Sequence, residues 1–219
     1  MNDEPGFVTV FADAKLLVFS KPFGLLSVPG KGADKQDCLS GRVQKHYADA
    51  LIVHRLDMAT SGLMLMARGP AVQTALSKMF EAHDIRKRYI AVVDGKMPTT
   101  IQEQTGVWQL IDLPIALDWP NRPLRIIDPA GKPSQTRWRV LHHDAKAGTT
   151  RLELEPVTGR SHQLRVHLKA LGCPIVGDML YSPAETAEKA GRLQLHACTL
   201  DFVHPSTGAK LLFESPVPF

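Results

Sequence analysis

Nine consecutive residues, His54-Arg55-Leu56-Asp57-Met58-Ala59-Thr60-Ser61-Gly62, bring together a cation and a carboxylate, two hydroxyls and a glycine, and the apolar run Leu63 to Ala67 follows at once. Ionisable groups on a loop braced by a buried strand are a common way to build a site, and the chemistry on offer is that of the Asp57 carboxylate. A plain polar turn accounts for the same residues, with Asp57, Thr60 and Ser61 bonding to nearby backbone. The nonapeptide alone leaves both readings open.

A second polar segment runs Thr158-Gly159-Arg160-Ser161-His162-Gln163-Leu164-Arg165-Val166-His167. Leu164, Leu168 and Leu171 recur at helical spacing before Gly172, while His162, Arg165 and Lys169 fall along an adjoining stripe, where Arg165 is placed to pair with a carboxylate. His162 and His167 lie about 140° apart around such a helix, which suits a shared metal poorly. No metal is expected. Cys38, Cys173 and Cys198 are an odd, scattered set with no CxxC pair, and read as structural thiols.

The elements that must hold these segments are legible in outline. The 219-residue chain has 44% hydrophobic residues, 16 glycines and 16 prolines, enough for a core cut into short elements by frequent turns. Strands are predicted over Phe7 to Phe11, Leu16 to Ser20, Leu63 to Ala67, Tyr89 to Val93, Thr136 to His142, Thr150 to Glu155, Leu195 to Val203 and Lys210 to Phe213. Alternation in Arg151-Leu152-Glu153-Leu154-Glu155 predicts a sheet with one wet side, and hence mostly antiparallel pairing. Helices are predicted from Leu39, Val43, Tyr47 and Leu51, from Val72, Leu76, Met79 and Phe80, and from Leu164 to Leu171. The fold class expected is α+β, a large mixed, mostly antiparallel sheet with a few packed helices. With no linker or repeat visible, one domain over residues 1–219 is expected, as a monomer.

Charge narrows the function classes. The net charge is +4, and the cations cluster at Arg86-Lys87-Arg88, at Arg122, Arg125, Lys132, Arg137 and Arg139, and at Arg160, Arg165 and Lys169. One such group is ordinarily a solvated face; three together favour an anionic ligand. The apolar runs fall far short of the ~20 residues that cross a bilayer. The acidic start of the chain lacks an apolar leader, so no membrane contact and a cytoplasmic location are expected.

The order of segments Lys21 to Gly30 (KPFGLLSVPG), His54 to Ala67, Arg86 to Gly95, Gly159 to Asp178 and Leu193 to Ala197 resembles the RluA-type family of RNA pseudouridine synthases over nearly the whole chain. The tract Asp118-Trp119-Pro120-Asn121-Arg122-Pro123 is similar to the subgroup that modifies both a tRNA anticodon stem-loop and a 23S rRNA hairpin loop. The resemblance implies RNA as partner, no cofactor, and isomerisation of uridine by breaking its N1–C1′ bond, turning the base and rejoining it through C5.

By the same resemblance Asp57 is the catalytic aspartate, Arg165 its cationic partner and Tyr89 the active-site tyrosine against the uracil. Leu195 is an aliphatic wall for the base. Arg55 is expected to fill the gap left by a flipped nucleotide. Arg160 and His162 are assigned to substrate binding, and the basic clusters, with Trp119 and Trp138, to phosphates and stacked bases. His54, His162 and His167 are left out of the catalytic set, since motif histidines beside arginines often fix a loop by hydrogen bonds. Since only about twenty residues precede Lys21, no separate N-terminal RNA-binding module is expected. Two rivals are a hydrolase with paired carboxylates, which needs a second acid near Asp57, and a non-catalytic RNA-binding domain.

Overall fold

The computed structural model describes residues 6–97 and 106–219; the first acidic residues, where a leader was sought, lie outside them. Its strands are β1 (Val8–Ala12), β2 (Leu16–Lys21), β3 (Ala50–Ile52), β4 (Ser61–Arg68), β5 (Arg86–Asp94), β6 (Gln109–Asp112), β7 (Ile115–Leu117), β8 (Arg125–Ile127), β9 (Gln135–Asp144), β10 (Thr149–Pro156), β11 (Leu195–Val203) and β12 (Lys210–Glu214). The helices are α1 (Leu39–Gln44), α2 (Pro70–Glu81), α3 (Gln163–Ala170) and α4 (Ala184–Ala187). The fold is α+β, as the strand-rich pattern predicts. Two compact units share these elements: Met1–Lys87 with Ala197–Pro218, and Arg88–His196 with Phe219.

In the first unit the strand order is β1-β2-β4-β11, with β3 beside β4 and β12 beside β11. β2 and β4 pair antiparallel, Leu16 opposite Ala67 and Lys21 opposite Gly62. Both strands are buried on both faces, so they read as continuous apolar runs and lack alternation. On one face Leu16, Val18, Leu63, Leu65 and Ala67 pack with Val72 and Leu76 of α2. Pro70 opens α2 at a position where its missing N–H leaves no bond unmade.

The predicted first helix is shorter than its four-residue spacing suggests. It ends at Gln44, where the N–H groups of His46 and Tyr47 both turn back to the Val43 carbonyl, and Leu51 lies in β3 opposite Ala67. An apolar residue every four positions is satisfied equally by one helical turn followed by a strand.

In the second unit the order is β5-β10-β9-β6, with antiparallel pairing throughout, and β7 and β8 form a separate hairpin. Leu152 and Leu154 of β10 are fully buried, as expected of one face. The other face is not simply wet. Arg88 reaches Glu153 at 3.0 Å, Arg137 reaches Glu155 at 2.7 Å, and Arg139 also pairs with Glu153. All three guanidinium groups lie 4.8–5.6 Å from the centre of the Trp108 ring. Strand alternation marks the two faces, but the long arginine side chains of β5 and β9 cover the acidic one.

Candidate functional site

The loop that carries Asp57 joins β3 to β4, and the segment after β2 clamps it on both sides of the aspartate. Before it, Leu56 N–H donates to Ser27 Oγ at 3.1 Å, and the Ser27 hydroxyl donates to the Leu56 carbonyl at 2.6 Å. After it, the Met58 carbonyl accepts the Gly24 N–H at 3.0 Å and Lys21 Nζ at 3.1 Å. Lys21 Nζ also donates to the Pro22 and Leu25 carbonyls, so this ammonium, only 1% exposed, finds three acceptors for its three protons. Thr60 N–H donates to the Asp57 carbonyl and closes the turn. The local turn is present, and the loop that forms it is braced from the segment after β2.

Further contacts pin the loop to β4. His54 Nε2 accepts the Leu65 N–H at 2.9 Å, and its ring lies against Phe80 at 4.7 Å. Burial, with the charge of Lys87 added, pushes the His54 imidazole down to about 3, so it is neutral and fastens the loop. Gly62 has φ of +114°, and a Cβ there would lie 2.2 Å from the Ala197 carbonyl oxygen of β11. Only glycine fits that crossing. Asp57 itself is half-buried, and Arg55 and Met58 are exposed beside it.

In the second unit the centre is Arg165, on α3. It is buried, and its Nε and Nη2 donate to the two carboxylate oxygens of Asp178 at 2.8 and 2.6 Å. Asp178 is fully buried and also accepts the N–H groups of Leu180 and Tyr181. The Arg165 guanidinium lies 5.0 Å from the centre of the Tyr181 ring. A planar cation clamped at one edge and one face has little freedom left.

His162 caps α3 in a left-handed conformation with φ of 58°, its Nδ1 2.6 Å from the Tyr181 hydroxyl, which also accepts the Arg125 N–H. Arg160 is exposed, with Nε donating to the Pro133 carbonyl. Gln163 joins the turn before the helix to β9, accepting from the Thr158 hydroxyl and the Arg160 N–H and donating to the Gln135 carbonyl and Thr136. His167 bonds Thr136 and the Leu113 carbonyl, and burial holds its imidazole below the usual range. Tyr89, on β5 opposite Leu154, is 9% exposed, and Leu195 opens β11 and is buried.

The residues expected to meet RNA separate into two groups. Trp138 is a core side chain, whereas Trp119 is 66% exposed. Arg88, Arg137 and Arg139 are engaged by glutamates, while Arg122 and Lys132 are exposed. Lys21, Ser27, Asp178 and Tyr181 were not singled out from the sequence. Lys21, Ser27 and Asp178 fall inside segments that carry the family resemblance, which was the only signal available. Among the described residues no group of three His, Cys, Asp or Glu side chains is arranged to hold a metal, and no helix is long and apolar enough to cross a membrane.

Comparison with known proteins agrees with these segments. The family model for RNA pseudouridylate synthase matches residues 15–170. The chain is 42% identical over 217 residues to the dual-specificity RNA pseudouridine synthase RluA of Escherichia coli K12, covering 99% of this chain and 95% of that protein. It is 42% identical over 213 residues to the Yersinia pestis protein of the same name, covering 97% of this chain and 100% of the other. Among solved structures, human RNA pseudouridylate synthase domain containing 1 superposes with a TM-score of 0.79 at 28% identity, over 100% of this chain and 87% of that one. A family match over most of the chain and relatives of this identity along nearly its full length lead to one conclusion: this chain belongs to the RNA pseudouridylate synthase family, enzymes that isomerise uridine to pseudouridine in RNA.

Proposed function

We propose that this isomerase acts on structured RNA loops, the tRNA anticodon stem-loop and a 23S rRNA hairpin loop, with Asp57 as the catalytic carboxylate. The dual specificity named for the Escherichia coli relative and the Asp118 to Pro123 tract support the choice of RNA. The observation that carries the catalytic reading is the double clamp on the Asp57 loop, Ser27 on Leu56 and Lys21 on Met58. A carboxylate whose two chain neighbours are pinned is held in one place, as a group that must meet a specific sugar–base junction requires.

In this reading Asp57 acts at the ribose–uracil junction while the N1–C1′ bond breaks. The base turns within the site, C5 bonds to C1′, and the proton on C5 leaves as N1 gains one, so no atom is lost and no redox agent is needed. Arg165, oriented by Asp178, is the cation assigned to Asp57 in this reading. Tyr89 lies against the uracil and takes part in removing the C5 proton. Leu195 packs on the base, Arg55 fills the vacated stack, and Arg160 and His162 contact the substrate strand.

The test is to incubate transcribed anticodon stem-loop and 23S hairpin RNA with wild type and with Asp57→Asn, then map pseudouridine chemically. Product from wild type and none from Asp57→Asn is expected. Equal product from both overturns the assignment of Asp57, and product from neither RNA with wild type overturns the choice of substrates.

A further inference from the structure

The β7–β8 hairpin carries at its tip a large aromatic side chain that nothing in the catalytic assignment uses. Trp119 is 66% exposed. A lone exposed hydrophobic residue is ordinary on a protein surface, and by itself would mean little. Trp119 is set apart by how firmly its surroundings are organised. The Asp118 carboxylate accepts Asn121 N–H at 3.3 Å and its Nδ2 at 3.2 and 3.0 Å. Asp118 N–H donates to the Leu124 carbonyl and Leu124 N–H to that of Asn121. Arg122 lies over the indole, its guanidinium carbon 4.9 Å from the ring centre, with Nε donating to the Trp119 carbonyl at 3.2 Å.

The root of the hairpin is tied to α3. Leu124 and Ile127 pack with Val166 and Tyr181, and Arg125 N–H donates to the same Tyr181 hydroxyl that bonds His162. The Tyr181 ring is also the one beneath the Arg165 guanidinium. Whatever Trp119 holds is therefore held at a fixed offset from Arg165, through packed side chains within one compact unit.

We propose that Trp119 and Arg122 form a stacking site for one unpaired base of the RNA loop, separate from the uridine that is isomerised. An indole offers a face to any base, and a guanidinium already lying on it adds positive charge where the phosphates of the same strand must pass. An uncharged apolar protein partner would gain nothing from that cation. Because tip and side chain are ordered beforehand, little freedom is lost on binding. The site contributes affinity and choice of loop, not bond making, and the inference rests on the reading that the substrate is a structured RNA loop.

The experiment measures RNA affinity and rate separately for Trp119→Ala, Trp119→Phe and Arg122→Gln, each checked by thermal melting against wild type. Trp119→Ala is expected to weaken binding of the stem-loop roughly ten- to hundred-fold, the scale of one base–aromatic stack. Its single-turnover rate at saturating RNA should equal that of wild type, and Trp119→Phe should recover most of the affinity. Raising salt from about 50 to 200 mM should leave the Trp119→Ala ratio constant while Arg122→Gln flattens the salt dependence.

Replacing loop nucleotides one at a time by abasic sites should reveal one position, other than the target uridine, where Trp119→Ala costs nothing further. Unchanged affinity of Trp119→Ala, or a lower saturated rate with unchanged affinity, overturns the proposal. So does an equal penalty at every abasic position. Because wild-type turnover is measured in the same assay, failure of this site is distinguishable from failure of the substrate reading, in which wild type itself forms no product.

Discussion

Lys21 Nζ lies 3.1 Å from the carbonyl oxygen of Met58, so a buried ammonium from the end of β2 holds the residue that follows the aspartate 36 positions further along the chain (57 minus 21). The same nitrogen is bonded to two carbonyls of its own segment, and the contact thereby joins two loops through one charge.

Removing that charge takes the donor from the buried Leu25 carbonyl, at about 1–3 kcal/mol for a group that water cannot reach, and loosens the part-buried bonds to Pro22 and Met58, the latter keeping its Gly24 N–H. Lys21→Met should lower the melting temperature by several degrees, and saturated turnover should fall by more than RNA affinity does. Affinity and rate falling in equal measure would show that Lys21 supports the fold alone and leaves the Asp57 loop unaffected.

Arg165 and Asp178 form a buried, two-bonded ion pair. Breaking such a pair from one side costs about 3–5 kcal/mol, whereas replacing both partners by apolar groups is often nearly neutral. Asp178→Leu alone should therefore destabilise strongly, and the double change Arg165→Met with Asp178→Leu should regain much of the lost stability. Activity should stay absent in the double variant if Arg165 serves Asp57. A stable and active double variant would remove Arg165 from the mechanism.

Acid should weaken the fold through His54. Its ordinary value is 6.5 and the folded value is about 3, so between these the unfolded chain binds a proton that the folded protein refuses. Stability from this residue is complete above pH 6.5 and is lost as pH falls toward 3, with a slope of about 1.4 kcal/mol per pH unit. His54→Gln, which retains an acceptor for the Leu65 N–H, should flatten the slope in urea melts across that range. An unaltered slope would place the acid sensitivity elsewhere.

Arg55 is exposed beside the clamped aspartate. If its guanidinium takes the place of the everted nucleotide, Arg55→Ala should reduce flipping of the target base, followed by a fluorescent analogue at that position, and should change phosphate affinity only slightly. Normal flipping with weaker binding and a flatter salt dependence would identify a surface phosphate contact instead.

Local pattern was a good guide where the determinant was local. The apolar runs of β2 and β4, the alternation of β10 and the leucine spacing of α3 ending at Gly172 marked those elements to within a few residues. The three-residue strands β3, β7 and β8 and the four-residue β6 were missed, since segments so short complete no period that distinguishes strand from loop. The family was legible for a different reason, because the order of several spaced motifs is a property of the chain itself.

The amino-acid sequence by itself determined the α+β class, the membership in an RNA-modifying family and the identity of the candidate carboxylate. Tertiary structure alone decided that Lys21 and Ser27 clamp the Asp57 loop, that Asp178 and Tyr181 hold Arg165, and that Arg88, Arg137 and Arg139 spend their charge on Glu153 and Glu155. It also separated Trp119 from Trp138, alike in the sequence as tryptophans among arginines, into an exposed side chain and a core residue. Propensity and periodicity act over a few residues, whereas these partners meet only when strands and loops far apart in the chain pack together and desolvate polar groups that must then find one another.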